Sequence, residues 1–381
     1  MEQDQNLPFI EEVMDRFAEE TGLQGIRPPQ RYLWTDAFAV CNYLELQRRT
    51  GKDEYGARAL RLVDQVHKVL GRHREDDPRN GWISGLTEAE GEKHPTRGGL
   101  RIGKELPERL ADEGEDSSLE WERDGQYYHY LTKWMQALHR VSVQMKEPLY
   151  DVWALEMAEV VHDAFTYEPP FGETKRMFWK MSIDLSRPLV TSMGQHDPVD
   201  GYLSYRELQV GAPAALKKEI ADLEVMCRHK NWMTDDPLGI GGILADALFL
   251  VKLTASGKPV LPGLTEDLLK TAAQGLTHYS AQNPLRQPVE YRLAFRELGL
   301  AIGLQAVGRI NTYLLEYLEK FPKNSFAKLL DELSGYLSLR DTIEECWLAP
   351  ENRETYTWES HNNINYVMLC TTLAPGGFFG D

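Results

Sequence analysis

Apolar-rich and charge-rich helical segments alternate along this chain of 381 residues, and the connections between them alternate in length. Apolar periodicity predicts rich helices near 31–48, 126–144, 199–210, 238–255, 289–306 and 359–373. More charged helices are predicted near 53–70, 149–166, 213–229, 264–278 and 309–345, and one near 8–20 precedes them all. Rich helices pass to charged successors through short links such as Arg49-Thr50-Gly51-Lys52 or Gly211-Ala212. Charged helices return through longer ones, of which 71–125 and 167–198 are the extremes. If the helices run alternately up and down, every long connection falls at one end of the bundle. Sites are usually built on loops held by a rigid scaffold, so the chemistry is expected at that end.

The rich helix at 31–48 carries Tyr32, Leu33, Ala37, Phe38, Val40, Cys41 and Leu44 round most of its circumference, as an interior helix does. In 238–255, Gly239, Gly241, Gly242, Ala245 and Ala247 permit close approach while Leu244, Leu248, Phe249 and Val251 fill space. Segments 53–70 and 213–229 keep their charges on one broad face, as outer helices do. An aromatic-x-Glu-Leu phrase recurs at Tyr43–Leu46, Tyr205–Leu208 and Phe295–Leu298. It suggests a repeat of about 50–90 residues, a helix hairpin plus variable loops. Asp197-Pro198, Asp236-Pro237 and Gln287-Pro288 each place Pro at a first helical position, with an Asp cap in the first two. Little β alternation is visible, and no Ser/Pro/Gly-rich linker divides the chain, so a single domain over 1–381 is expected.

Six inner helices ringed by six outer ones make an all-α (α/α)6 toroid. In helix count and loop asymmetry the chain resembles the six-hairpin glycosidase-like superfamily, which includes glycoside hydrolases and sugar epimerases. The resemblance covers nearly the whole chain. It implies a site in the funnel at the N-terminal ends of the inner helices, where the long loops enter.

Hydrophobic residues make up 42% of the chain, enough for a large core, and the net charge is −17. Nucleic acid and anionic membrane surfaces are unlike partners for it, because a phosphate backbone wants clustered Lys and Arg. The start of the chain, Met1-Glu2-Gln3-Asp4-Gln5, has no basic and apolar leader pattern. No stretch of about 18 apolar residues lacks a charge, so no membrane span is expected. Cys41, Cys227, Cys346 and Cys370 are far apart and never form C-x-x-C. Buried free thiols in a reducing cytoplasm are expected. Nothing in the composition opposes a homo-oligomer.

Polar and aromatic residues gather where the rich helices begin. Asp124, Asp197, Asp236 and Glu359 are the candidate catalytic carboxylates, because glycoside hydrolysis needs one protonated and one ionised carboxyl across the scissile bond. Asp197 and Asp236 are also natural helix caps. Trp34, Tyr127, Tyr128 and Trp358 are candidate stacking surfaces for a sugar ring, and core packing explains each equally well. Asp36, His129, Gln195, His196, Asp235, Arg292, His361 and Asn362 are candidates for substrate binding. His129, His196 and His361 also suit proton transfer near neutral pH. No metal or cofactor is implied, since H-E-x-x-H and tight His/Cys sets are absent. Gly98–Lys104 lacks the phosphate-loop pattern and its strand–helix context, and 71–125 is expected to form a lid or rim.

The leading expectation is a carbohydrate-active enzyme, hydrolysing a small glycoside with two carboxylates. A sugar isomerase or epimerase using histidines is the alternative, its ligand again a small carbohydrate. A terpene-cyclase-like toroid would use Thr234-Asp235-Asp236 as its acid, although D-x-D-D and D-D-x-x-D are both absent. A non-catalytic binding toroid also stays open.

Overall fold

The computed structural model describes residues 5–114, 116–170, 174–228, 230–321 and 325–380. The chain clusters into two compact units, Asp15–His229 and Met1–Met14 with Lys230–Asp381. Helix α1 (Leu7–Glu20) carries residues of both.

The unit Asp15–His229 is built on helical hairpins. Helix α2 (Leu33–Thr50) pairs with α3 (Asp53–Leu70), α4 (Tyr128–Met145) with α5 (Leu149–Phe165), and α6 (Asp197–Leu208) with α7 (Lys217–Cys227). The first members of these pairs also pack on one another, α2 on α4 and α4 on α6. Burial follows that arrangement. Every position from Leu33 to Leu46 of α2 except Trp34 is buried. By contrast α3 buries Tyr55, Ala59, Leu62, Val63, Val66 and Leu70, a single stripe at helical spacing. The link after α2 turns on Gly51, whose φ of 69° is a left-handed helix cap.

The long connections of this unit fold onto it. Residues 71–125 contribute Trp82, Ile83, Leu100 and Ile102 to the core. Backbone bonds Leu33 N–H to Ile102 O, Arg101 N–H to Leu70 O and Ile102 N–H to Gly125 O tie the segment to the starts and ends of helices. Its Gly98–Lys104 stretch is no anion cradle. The Leu100 N–H donates to Gln126 Oε1 and the Gly103 N–H to Asp124 Oδ1, so these donors face inward. Gly103, at φ 93°, runs so close to the Arg31 carbonyl that a Cβ would lie 2.2 Å from its oxygen. Short strands order the second long connection. β1 (Gln126–Tyr127) pairs antiparallel with β4 (Lys180–Met181), which pairs with β5 (Pro188–Val190), while β2 (Thr166–Tyr167) pairs with β3 (Arg176–Met177).

In the other unit α8 (Pro237–Ala255) pairs with α9 (Leu264–Ala281), and α10 (Ala294–Glu316) packs against both α8 and α13 (Asn362–Leu373). Among the described residues α8 alone is long and apolar enough to cross a membrane, yet 72% of that stretch is buried. Its glycines explain part of the packing. A Cβ at Gly241 would stand 2.0 Å from the Gly299 carbonyl oxygen, and one at Gly303 2.4 Å from the Gly241 Cα. Here α8 and α10 touch backbone to backbone.

Three expectations are corrected. The predicted helix at 309–345 is not one element, because α10 continues to Glu316 and α11 (Ser325–Ser334) and α12 (Leu337–Leu348) follow. Pro288 opens only a single 3-10 turn, Val289–Tyr291, and α10 begins at Ala294. The aromatic-x-Glu-Leu phrases do not share a place in their helices. Glu297 lies in the first turn of α10, whereas Glu45 and Glu207 lie late in α2 and α6. What they share is an arginine partner: Arg48 and Arg49 for Glu45, Arg140 for Glu207, Arg292 for Glu297. Of the cysteines, Cys41, Cys227 and Cys370 are buried free thiols and Cys346 is half-buried.

The glycine contact gives a paired prediction. Gly241→Ala forces a methyl into a backbone carbonyl and is expected to cost about 1–3 kcal/mol or more by overpacking. At Gly242 nothing lies within 4 Å of the new methyl, so Gly242→Ala should be neutral or stabilising by up to about 1 kcal/mol, the helix-propensity gain. Urea unfolding of the two variants checks both; equal effects would refute the close contact.

Candidate functional site

In the unit Asp15–His229 a row of aromatic rings surrounds His129, the second residue of α4. Tyr127 stacks on the imidazole at 5.4 Å between centroids and Trp179 lies nearly parallel to it at 6.3 Å. Trp34 and Tyr130 meet it edge-on at 6.1 and 4.8 Å. Tyr130 also shares a 2.7 Å hydroxyl contact with Tyr32. The elements explain the convergence. Trp34 is the second residue of α2, Tyr127 is in β1 immediately before α4, and Trp179 immediately precedes β4, which β1 pairs with.

The polar partners of His129 come from α6. Asp197 Oδ1 is 3.6 Å from His129 Nδ1, within ion-pair reach but longer than a hydrogen bond. One turn further along each helix, Lys133 Nζ donates to Asp200 Oδ1 at 3.0 Å. Burial depresses the imidazole pKa to about 4, with Asp200 opposing and Lys133 and His196 adding to the shift. The ring is therefore neutral at pH 7 and a quarter of its side chain stays open to solvent. A neutral imidazole beside a carboxylate is equipped to take up and return a proton.

Several other candidates of this unit have structural places. Asp124 is fully buried, and its carboxylate accepts from Arg101 Nη1 at 2.9 Å, Arg74 Nη1 at 3.4 Å, and the Gly103 and Gly125 N–H groups at 3.0 Å each. It anchors the long loop and offers no lone pair to a ligand. Asp36 is buried beside Arg31 and accepts the Tyr32 N–H at 3.0 Å; burial raises its pKa to about 6, with Arg31 opposing. The Tyr128 hydroxyl donates to Tyr205, which donates to the Ala158 carbonyl, all in the core. Gln195 is exposed; His196 sits at the cap position of α6 and lends no side-chain cap bond. Asp197 is likewise not a cap but the first residue of the helix.

The second unit holds its own set. Asp236 caps α8 by accepting the Gly239 N–H at 3.2 Å, and accepts Arg296 Nη1 at 2.7 Å. The Arg296 guanidinium lies over the Phe295 ring, whose other neighbour at 5.2 Å is His361. His361 Nδ1 meets Ser360 Oγ at 2.9 Å, beside the half-buried Asn362. Asp235 and Glu359 are exposed. Arg292 and Trp358 are core groups. Arg292 grips Glu297 with two bonds of 2.8 and 2.6 Å, and Trp358 stacks on Trp347, whose indole N–H also reaches Glu297.

Tyr130, Lys133, Trp179 and Asp200 were not among the expected site residues. Lys133 and Asp200 were findable, since i,i+4 from His129 and i,i+3 from Asp197 share a helix face. Trp179 comes in through strand pairing and has no local signal. Among the described residues no three of His, Cys, Asp and Glu converge as a metal-ligand set.

No family model matches the sequence, and comparison with curated proteins gives no match. Solved structures do match. A D-mannose isomerase aligns at a TM-score of 0.50 with 11% identity, over 96% of this chain and 97% of that one. A cellobiose 2-epimerase from Spirochaeta thermophila DSM 6192 aligns at 0.48 with 9% identity, over 96% and 98%. The fold shared with the D-mannose isomerase is all-α, an (α/α)6 toroid.

Asp124→Ala should leave the half-buried Arg101 without a carboxylate, with only the Arg72 and Val69 carbonyls to accept from it, and cost about 3–5 kcal/mol. Chemical denaturation measures it. A loss below about 1 kcal/mol would show that this carboxylate is not what holds the loop.

Proposed function

We propose that the protein is a sugar isomerase or epimerase in which His129 moves the proton on the carbon next to the substrate carbonyl. The observation that carries this reading is a neutral imidazole set among aromatic rings with the Asp197 carboxylate 3.6 Å away. The half-buried Trp34, Tyr130 and Trp179 rings are of the kind that take the apolar face of a sugar, while Tyr127 is buried behind the imidazole. His129 takes the proton from C2 of the open-chain sugar and the electron pair moves through C1–C2 to give an enediolate with its charge on O1. Return of the proton to C1, with the O2 proton passing to O1, makes the ketose; return to the opposite face of C2, with the charge on O1 going back into the carbonyl, makes the epimer. Asp197 stabilises the imidazolium between the two transfers. The shared fold of a D-mannose isomerase supports the same choice.

Hydrolysis was the leading expectation from sequence, and it is not carried forward. Within the unit that holds His129, Asp124 is enclosed by Arg101, Arg74 and backbone donors, and Asp200 is paired with Lys133. Neither is then available as the second carboxyl that two-carboxylate hydrolysis requires beside Asp197. Asp236, the acid a cyclase would need, is engaged by Arg296 and the start of α8.

The test is proton exchange in deuterated water with D-mannose, D-glucose and D-fructose, followed by NMR. Deuterium should enter C1 or C2 with an isomeric product, and His129→Asn should slow it by about 10²–10⁴-fold. Because the base must be neutral, kcat should be level through neutral pH and fall with a midpoint near 4 as His129 is protonated. Sugar binding with no exchange in the parent protein, or full exchange in the Asn variant, would overturn the assignment.

A further inference from the structure

His129 is the top rung of a ladder of basic and acidic side chains between α4 and α6. On α4, His129, Lys133 and Arg140 stand at i, i+4 and i+11, which share one helix face. On α6, Asp197, Asp200 and Glu207 stand at i, i+3 and i+10 and share another. The two lower rungs are closed. Lys133 Nζ donates to Asp200 Oδ1 at 3.0 Å, and Arg140 Nη2 donates to Glu207 Oε1 at 2.8 Å. The top rung is open, with 3.6 Å between His129 Nδ1 and Asp197 Oδ1. The Lys133 and Asp200 side chains are only 9% and 10% exposed, so both charges are nearly out of water. Ser204 Oγ donates to the Asp200 carbonyl at 2.8 Å and steadies that turn of α6. Among the described residues, the charged and titratable groups facing the imidazole are His196, Asp197 and Asp200 on α6 and Lys133 on α4. The Trp34, Tyr127, Tyr130 and Trp179 rings packed on it are uncharged at neutral pH. Lys180 stands on the Tyr127 ring, 5.3 Å from its centre, and donates to Glu120.

A carboxylate near an enclosed imidazole favours its charged form, and an ammonium disfavours it. An imidazolium has no lone pair with which to accept a proton. Asp200 alone would therefore disable the base, and the lysine on the same face of α4 as His129 offsets it. We propose that Lys133 is a positioning residue for proton transfer at His129: it holds the Asp200 carboxylate to itself one turn below the ring, and the imidazole thereby stays a proton acceptor. The proposal rests on the isomerase reading of His129. Lys133 acts through Asp200 and His129 and touches none of the reacting atoms. With the lysine in place, α6 can carry two acids within one turn of the imidazole without charging it.

The test is an NMR titration of the His129 ring in the full chain, labelled at histidine Cε1, with His129→Asn assigning the signal. The parent midpoint is expected near 4. Lys133→Met leaves the Asp200 charge unanswered and should raise that midpoint by about one pH unit or more. Asp200→Asn leaves the ammonium unanswered and should lower it. The double variant carries neither charge and should return it to the parent value. A merely structural pair would move all of these variants together or none of them. A midpoint unmoved by Lys133→Met, or raised by Asp200→Asn, overturns the proposal. If Lys133→Met does not fold, Asp200→Asn and the double variant differ by the same lysine charge, and equal midpoints in those two overturn it. In the parent and its variants the acid limb of kcat, followed by deuterium exchange, should move with the ring titration. Ring shifts of the expected signs in a protein that exchanges no deuterium support the pair and sink the isomerase chemistry alone.

Discussion

The buried carboxylate of Asp124 is the point on which the site of the Asp15–His229 unit depends. It faces two guanidinium groups and two backbone N–H donors at once, and each of these partners belongs to a different stretch of the long connection. Arg74 and Arg101 come from its early and middle parts, Gly103 from the turn beneath α2, and Gly125 from the residue leading into β1. A carboxylate and arginines removed from water need such full pairing, because an unpaired member is far costlier than the pair is favourable. The connection is thereby fixed against the helix starts, and β1 delivers Tyr127 and His129 into a cluster of rings.

A second buried pair, Lys180 with Glu120, does the same for the later connection. Together the two pairs hold loop-borne aromatic side chains as firmly as helix-borne ones. Preorganisation of this kind matters for proton transfer, where the base must sit at hydrogen-bond distance from one particular carbon-bound proton. The low pKa of His129 follows from the same enclosure. Rings packed on the imidazole remove the water that would stabilise its charged form, so the same enclosure keeps His129 neutral.

Much of the scaffold was legible because helices announce themselves locally. The segments 53–70, 149–166 and 238–255 match α3, α5 and α8 to within a residue at either end, since apolar spacing, a Pro start and a charged face are all properties of neighbouring positions. Legibility failed at 309–345, where charge was read as one outer helix, and at Gln287-Pro288, where Pro opens a 3-10 turn instead of the helix itself. Candidate residues divided in the same way. Their positions at helix starts were readable, but whether each faced a ligand or the core was not. Tyr128, Trp358, Arg292 and Asp124 share residue types with the groups proposed for the site, and only their partners Tyr205, Trp347, Glu297 and Arg101 mark them as structural.

The sequence by itself determined an all-α chain of alternating interior and exterior helices with long connections at the starts of the interior ones, because periodicity and charge act over a few neighbouring residues. The tertiary structure alone decided which acids are enclosed by donors and which rings surround His129. Those outcomes depend on contacts between residues as distant as His129 and Trp179, or Asp124 and Arg74, and on burial that no local pattern encodes. The same aspartate serves as a catalyst or a strut according to what the fold places against it.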